Sequence, residues 1–416
     1  MCDQATKPNS PAKSELENSW TVGTLSDVIA DVRGGFSVNC DDRPAGPGEI
    51  GVLKTGSVLN YQFRPEENKA VLTNELGRIR TPVSAGKIII CRKNSEEVVG
   101  ASALVSEDHP NLFLSDLLWQ ITPAAGVSLY WLYSTIASDR VRSLIRIAAT
   151  GTQASMKNIS QDRLLAIPVR IPPLAEQRKI ASILRTWDEG IANLSALKSQ
   201  REKAFRWFQH RLIDRDFNAY DDILEQYATI PSLEKITSLG GVQPLTVKLH
   251  CKGVVANGRD MPVTLSDTGR PYYRRQSGDF LIGRQNFHNG GFGIVPSELE
   301  GFIASNAITS LRIDESKLDT KFLFYFFSRK EYYLRIGQIM DGTGQKELSD
   351  KQIKKLPVSI PSLARQKEIV QILNSAVEEI SLISDNIDAL TKQRRGLTQK
   401  LLTGDWRVKP EEVVYG

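Results

Sequence analysis

The sequence is short of the residues that usually carry chemistry. Histidine and cysteine number four each in 416 residues. Cys2, Cys40, Cys91 and Cys251 are scattered, with no CxxC pair and no histidine at ligand spacing from a cysteine. Neither a disulfide framework nor a zinc site is supported. His109, His210, His250 and His288 are too isolated to nominate a general base. There is no GxxxxGK[ST] phosphate loop, no HExxH, no GxSxG and no NPP[YF] run. A binding protein without chemistry of its own, not an enzyme, fits these absences. No run of eighteen apolar residues exists, so no transmembrane helix and no membrane partner are expected. The opening MCDQATKPNSPAKSELENS has no apolar segment of the signal-peptide kind. Residues 1–19 read as a flexible tail, and the cytoplasm is the expected compartment.

What is present is a globular composition, 41% hydrophobic and 24% charged, with a net charge of +5. A mildly basic chain is compatible with a nucleic-acid partner, though that balance alone decides nothing. The length calls for more than one domain.

The chain also repeats itself. LAIPVRIPPLAEQRKIASIL (165–184) and KKLPVSIPSLARQKEIVQIL (354–373) agree at ten of twenty positions at an offset of 189. Upstream, TGTQASMKNIS (150–160) faces GTGQKELS (342–349), and AGKIIICRKN (85–94) faces SGDFLIGRQN (277–286). A period this long means a duplicated domain, not a solenoid. Each copy has two parts. The first is rich in glycine, proline and short apolar runs such as KIIIC and DFLIG, which read as strands. A helix is expected over 128–147 and another over 318–337. The second part is a long helix beginning after the prolines.

Ile369, Leu373, Ala376, Ile380, Ile383, Ile387 and Leu390 step alternately by four and three, and Leu397 and Leu401 continue the stripe past Arg394. In the first copy the stripe is Ile180, Leu184, Trp187, Ile191 and Leu194, then Phe205, Phe208 and Leu212, with Lys198 and Arg201 at apolar positions. This spacing is that of a coiled coil, and each copy offers the other a partner. The expected fold is α+β: two α/β globular regions (20–173 and 215–362), each followed by a long helix (174–214 and 363–403), then a tail at 404–416. In that tail GDWRVKPEEV resembles NSWTVGTLSDV near the start, Trp406 matching Trp20, as if a third copy were beginning.

GTGQKELSDKQIKKLPVSIPSLARQKEIVQIL, and its counterpart at 151–184, resembles the segment that closes a target recognition domain and opens a helix in specificity subunits of type I restriction-modification systems. The resemblance covers nearly the whole chain. It implies two domains that each read half of a bipartite double-stranded DNA site, joined by helices pairing antiparallel as a spacer. It also implies two modification (methyltransferase) subunits docked on that spacer, and restriction subunits as further partners. S-adenosylmethionine would sit on the modification subunit, and ATP and Mg on the restriction subunit, with no cofactor on this chain. The seam residues Leu184, Trp187, Ile191, Leu373, Ile380, Ile383 and Ile387 would form the spacer or its docking face.

A DNA reader needs cations for phosphates and planar donors for base edges. In the second region Lys248, Lys252, Arg274, Arg275 and Arg284 cluster, and GRQNFHNGG packs Gln285, Asn286, His288 and Asn289 into a glycine-bounded loop. In the first region Lys54, Arg78, Arg80, Arg92 and Lys93 are the candidates. Thr152, Gln153 and Lys157, with their counterparts Gln345 and Lys346, suit backbone phosphate, and the resemblance turns these loops toward the duplex. The competing reading is a coiled-coil scaffold with two protein-binding heads and no DNA contact.

Overall fold

The computed structural model describes residues 20–151, 156–214, 222–237, 242–258, 271–338 and 347–409. The chain forms two compact units. The first comprises the described residues up to Leu194 and those from Asn386 onward, and the second runs from Ser195 to Asp385. Each contains one globular region and the adjoining parts of two long helices, Leu174–Asp214 and Leu363–Thr403.

The duplication is visible in the strand order. The first unit has an antiparallel sheet ordered Ile29–Gly34, Leu118–Pro123, Lys87–Cys91, Ser102–Val105. The second repeats it as Ala228–Thr229, Ile308–Ile313, Phe280–Gly283, Phe292–Ile294. Lys87–Cys91 (KIIIC) and Phe280–Gly283 (FLIG) are near-continuous apolar runs because both sheet faces are covered. Alternation sends Ile88 and Ile90 into the main core and Ile89 and Cys91 into a smaller one behind the sheet. Phe280 and Ile282 part from Leu281 in the same way.

Around these sheets the units diverge. The first adds a four-stranded sheet, Asn68–Ala70, Gly51–Leu53, His109–Phe113 and Pro82–Val83, in which Gly51–Leu53 runs parallel to His109–Phe113 and antiparallel to Asn68–Ala70. The second adds two ribbons, Leu245–Val247 with Val254–Ala256 and Tyr272–Arg274 with Ile303–Ser305.

The single helices expected over 128–147 and 318–337 are each two helices. Leu129–Ala137 is followed by Asp139–Ala148, and Thr320–Phe327 by Lys330–Gln338. Ser138 causes the first break. It leaves helical geometry and its hydroxyl accepts the N–H of Val141, capping the next helix. The prolines of the repeated sentence also do more than interrupt a helix. Pro168–Ile171 is a strand paired antiparallel with Thr21–Thr24, and Pro357–Val358 pairs likewise with Asp222–Ile223.

Within each unit the long helices lie side by side and antiparallel. In the first, Asp188 meets Arg394 while Glu176, one helix end away, meets Arg407. In the second, Lys198 donates to Ser384 and Arg201 pairs with Glu379. Leu184, Leu373 and Ile383 are buried, and Trp187, Ile191, Ile380 and Ile387 are half-buried, so the 4-3 stripe is the seam. The charged residue in the stripe of the second helix, Arg394, is accommodated by an ion pair, its Nη2 lying 2.9 Å from Asp188 Oδ2. Tyr130 donates to the same carboxylate, and burial together with Asp188 holds its phenol well above the usual range. One seam position shifts. Phe208 is 42% exposed, and Gln209 is buried in its place, its Nε2 donating to the Tyr325 carbonyl at 2.9 Å.

Candidate nucleic-acid interface

In the second unit the ribbon Leu245–Val247/Val254–Ala256 turns through Lys248–Gly253. The turn carries two consecutive non-glycine residues in the left-handed region, His250 (φ 60°) and Cys251 (φ 57°). Its hydrogen bonds hold it there. His250 N–H donates to Asn289 O at 2.7 Å and Cys251 N–H to Gly290 O at 2.9 Å. The glycine-bounded loop is the platform for this turn. Gly290 has φ +68°, and a Cβ there would stand 2.9 Å from both the Cys251 nitrogen and Sγ. The glycines therefore let two loops of the protein lie together. Lys248, His250, Lys252 and Asn286 are exposed on the surface that results, and no ion pair neutralises either lysine among the described residues.

Other candidates are engaged inside the protein. Arg275 is 1% exposed, and its guanidinium donates to Ser310 Oγ and to the carbonyls of Ser305 and Ile308 at 2.7–3.0 Å. Burial pulls it down to about 10, which leaves it charged near neutral pH. It is a pillar of the core and not a reader of bases. Adjacent Arg274 is exposed, 3.4 Å from Glu234. Arg284 pairs with Glu347 at 3.0 Å and donates to Leu348 O at 2.9 Å, while Gln285 reaches the same glutamate. His288 is half-buried beside Asn289, with Gly337 of the neighbouring helix against its Cβ.

In the first unit Arg92 occupies the place of Arg284. Its backbone carbonyl accepts from Ile159 as that of Arg284 accepts from Leu348. Its guanidinium lies 5.0 Å from the Trp119 ring and bonds Asn158. These two arginines tie matching strands to matching loops. Lys93–Asn94 then pairs antiparallel with Lys157–Asn158, bringing Lys93 and Lys157 onto one short half-buried ribbon. Lys54 is paired with Glu67, and Arg78 with the buried Glu75 while lying over Phe36. Arg80 is exposed and bonds only backbone carbonyls. Thr152, Gln153, Gln345 and Lys346 lie outside the described residues.

Two features escaped the residue-by-residue search for readers. Glu176 is buried, accepts from Trp20 and forms a two-pronged bond with Arg407, closing the C-terminal segment onto the beginning of the first unit. Arg407 also lies 5.2 Å from the Trp20 ring, while Trp406 is exposed. Gln177 and Gln366 are buried as well, and each joins its long helix to its globular region. Their identity within the repeated sentence was the available signal.

No described helix is long and apolar enough to cross a membrane, and no group of three or more His, Cys, Asp or Glu side chains among the described residues could hold a metal ion. A duplicated sheet frame, paired long helices and an exposed basic turn in the second unit offer a surface suited to binding. The profile of the family described as "Type I restriction modification DNA specificity domain" matches residues 17–202 and 271–392. The chain belongs to this family and is a DNA sequence-specificity subunit. A putative type I restriction enzyme MjaX specificity subunit of Methanocaldococcus jannaschii is 21% identical over 95% of both chains. The EcoEI specificity subunit of Escherichia coli is 28% identical over 172 residues, 41% of this chain and 29% of that protein. In fold, the chain is similar to the crystal structure of a type I restriction-modification S subunit from M. genitalium. The TM-score is 0.57 at 16% identity, over 92% of this chain and 96% of that one. The scaffold reading without DNA contact is not favoured by this membership.

Proposed function

We propose that this chain reads a bipartite duplex site, one half with each globular region (20–173 and 215–362), and that the long helices set the distance between the halves. The observation that carries the reading is the duplication itself. The same four-stranded order appears twice, each time leading into a helix of 41 residues, roughly 60 Å at 1.5 Å per residue. Two readers on one chain make the second contact effectively intramolecular. Lys248, Lys252 and Asn286 in the second region, and Lys93 and Lys157 in the first, are the proposed contacts. Lysines at such positions neutralise phosphates, and an exposed asparagine amide matches the donor–acceptor edge of adenine.

The remaining partners follow from the family. Two modification subunits would dock along the helices and transfer a methyl group from S-adenosylmethionine to a base taken out of the stack, chemistry for which this chain carries no motif. Restriction subunits would bring ATP and Mg, and the assembly would work in the cytoplasm. The decisive experiment is to map methylated bases in DNA from cells carrying this chain with its modification subunit. Two short motifs at a fixed separation are expected, and methylation with no bipartite preference would overturn the proposal. Affinity should also fall steeply with added salt.

A further inference from the structure

We infer that Gln177 and Gln366 are positioning residues that fix the angle of each DNA-reading region on its helix, one amide per half-site. The inference rests on the bipartite reading above.

Gln177 sits five residues after Pro172 and Gln366 five after Pro361, and both are buried, at 3% and 0% exposure. Gln177 Oε1 accepts the backbone N–H of Ser128 at 3.0 Å, and its Nε2 donates to Pro172 O at 2.9 Å. Gln366 Oε1 accepts the N–H of Asp319 at 2.7 Å, and its Nε2 donates to Pro361 O at 2.8 Å and Lys317 O at 2.9 Å. Ser128 and Asp319 are the N-cap residues of Leu129–Ala137 and Thr320–Phe327, the helices that back the two sheets. One side chain therefore grips the start of the long helix and the start of the domain's own helix together.

The chemistry leaves few substitutes. The joint needs an acceptor for an N–H and a donor for a carbonyl on one short planar group, which an amide supplies and a carboxylate does not. Buried, the partners have no water to replace it. The flanking residues of the repeated sentence show that this position is singled out. Glu176 faces Arg365 and Lys179 faces Glu368, reversing charge, while the glutamine stays. Rotating the domain about its proline segment must break these bonds. Over a reader about 30 Å across, a tilt of roughly 7° moves the far edge by about one base-pair step, so a loose joint becomes an error in spacing.

The test uses the full chain assembled with its modification subunit. Methylation rates are compared on duplexes carrying the native spacer and spacers one base pair shorter or longer. Gln366→Met should reduce the preference for the native spacer by about tenfold, the equivalent of its lost hydrogen bonds, and Gln177→Met by less because it makes fewer. Gln120→Met is the control. It removes a buried amide from the sheet of the first globular region, where its Oε1 accepts the Ser84 N–H away from either joint and from the seam, and should lower thermal stability while leaving spacer preference unchanged. Should Gln366→Met fail to fold, Gln177→Met, which strands fewer partners, carries the test with its smaller loss. Joint variants that shift spacer preference no more than Gln120→Met would overturn the inference. A wild-type complex without any spacer preference would instead overturn the bipartite reading.

Discussion

In the first unit the shared sheet is backed by isoleucine, valine and two tryptophans, Trp119 and Trp131; in the second the corresponding core is built from Phe280, Phe287, Phe292, Phe322, Phe326 and Phe327. Several aromatic rings of the second unit meet edge to face, as with Phe287 against Phe327 at 5.3 Å, and others stack, as with Phe280 against Phe292. Strand order, the joint at the long helix and the arginine tie at Arg92 or Arg284 are nonetheless the same. Packing chemistry has changed completely under a constant backbone frame, because a core asks for volume and apolarity before it asks for particular residues. The accessory strands differ even in topology, a mixed four-stranded sheet against two ribbons. If each region reads its own half-site, as proposed, these are the strands that would differ.

The comparison can be broken or sharpened by four sets of substitutions. The largest effect is expected at the seam. Leu184→Ala and Leu373→Ala each empty a fully buried site and should cost about 3 kcal/mol. Hydrogen exchange should rise in the first unit alone for Leu184→Ala and in the second alone for Leu373→Ala. Equal loosening of both by either change would mean the chain has one core and not two.

Next comes Arg275→Met, which strands several carbonyls and should cost about 2–3 kcal/mol in thermal or denaturant unfolding. Arg274→Ala should cost less than about 0.5 kcal/mol. Folded Arg275→Met protein that keeps its stability but loses base preference would restore Arg275 as a reader.

The ion pairs between the helices separate the units again. A double-mutant cycle on Asp188 and Arg394, partly shielded in the first unit, should give a coupling of about 1–2 kcal/mol. The same cycle on the exposed Arg201 and Glu379 in the second should give about 0.5 kcal/mol or less. The smallest effect on stability is expected from Lys248→Ala with Lys252→Ala. Unfolding should not change, while the slope of log affinity against log salt should fall by about 2. Lys93→Ala with Lys157→Ala should do the same if the first unit reads through its ribbon.

How much of this was legible in the sequence depended on whether the signal was periodic or distant. The seam could be read because a coiled coil writes itself every three and four residues, and Leu184, Leu373 and Ile383 are buried accordingly. Arg394 looked like an interruption because its partner, Asp188, lies 206 positions away on the other helix. Arg275 was misjudged beside Arg274, although alternation along Tyr272–Arg274 places neighbouring side chains on opposite faces. The glycines of 283–291 were recognised as permitting close approach, but what approaches them is the turn at 248–253, and no local pattern announces a contact between loops. Gln177 and Gln366 were in plain view within the repeat. Their role could not be read because a buried amide and an exposed one are the same letter.

The pairing of Thr21–Thr24 with Pro168–Ile171, and of Asp222–Ile223 with Pro357–Val358, has a consequence for how such a chain can change. Each globular region begins and ends on neighbouring strands, so its two ends are already together when the long helix starts. Residues gained or lost between them lengthen a closed loop, and the entropy of closure grows only with the logarithm of that length. The helix is not displaced. A whole region can therefore be grafted out at two adjacent strands and another grafted in with the course of the long helices unchanged, provided the incoming region brings its own backbone partner for the joint glutamine.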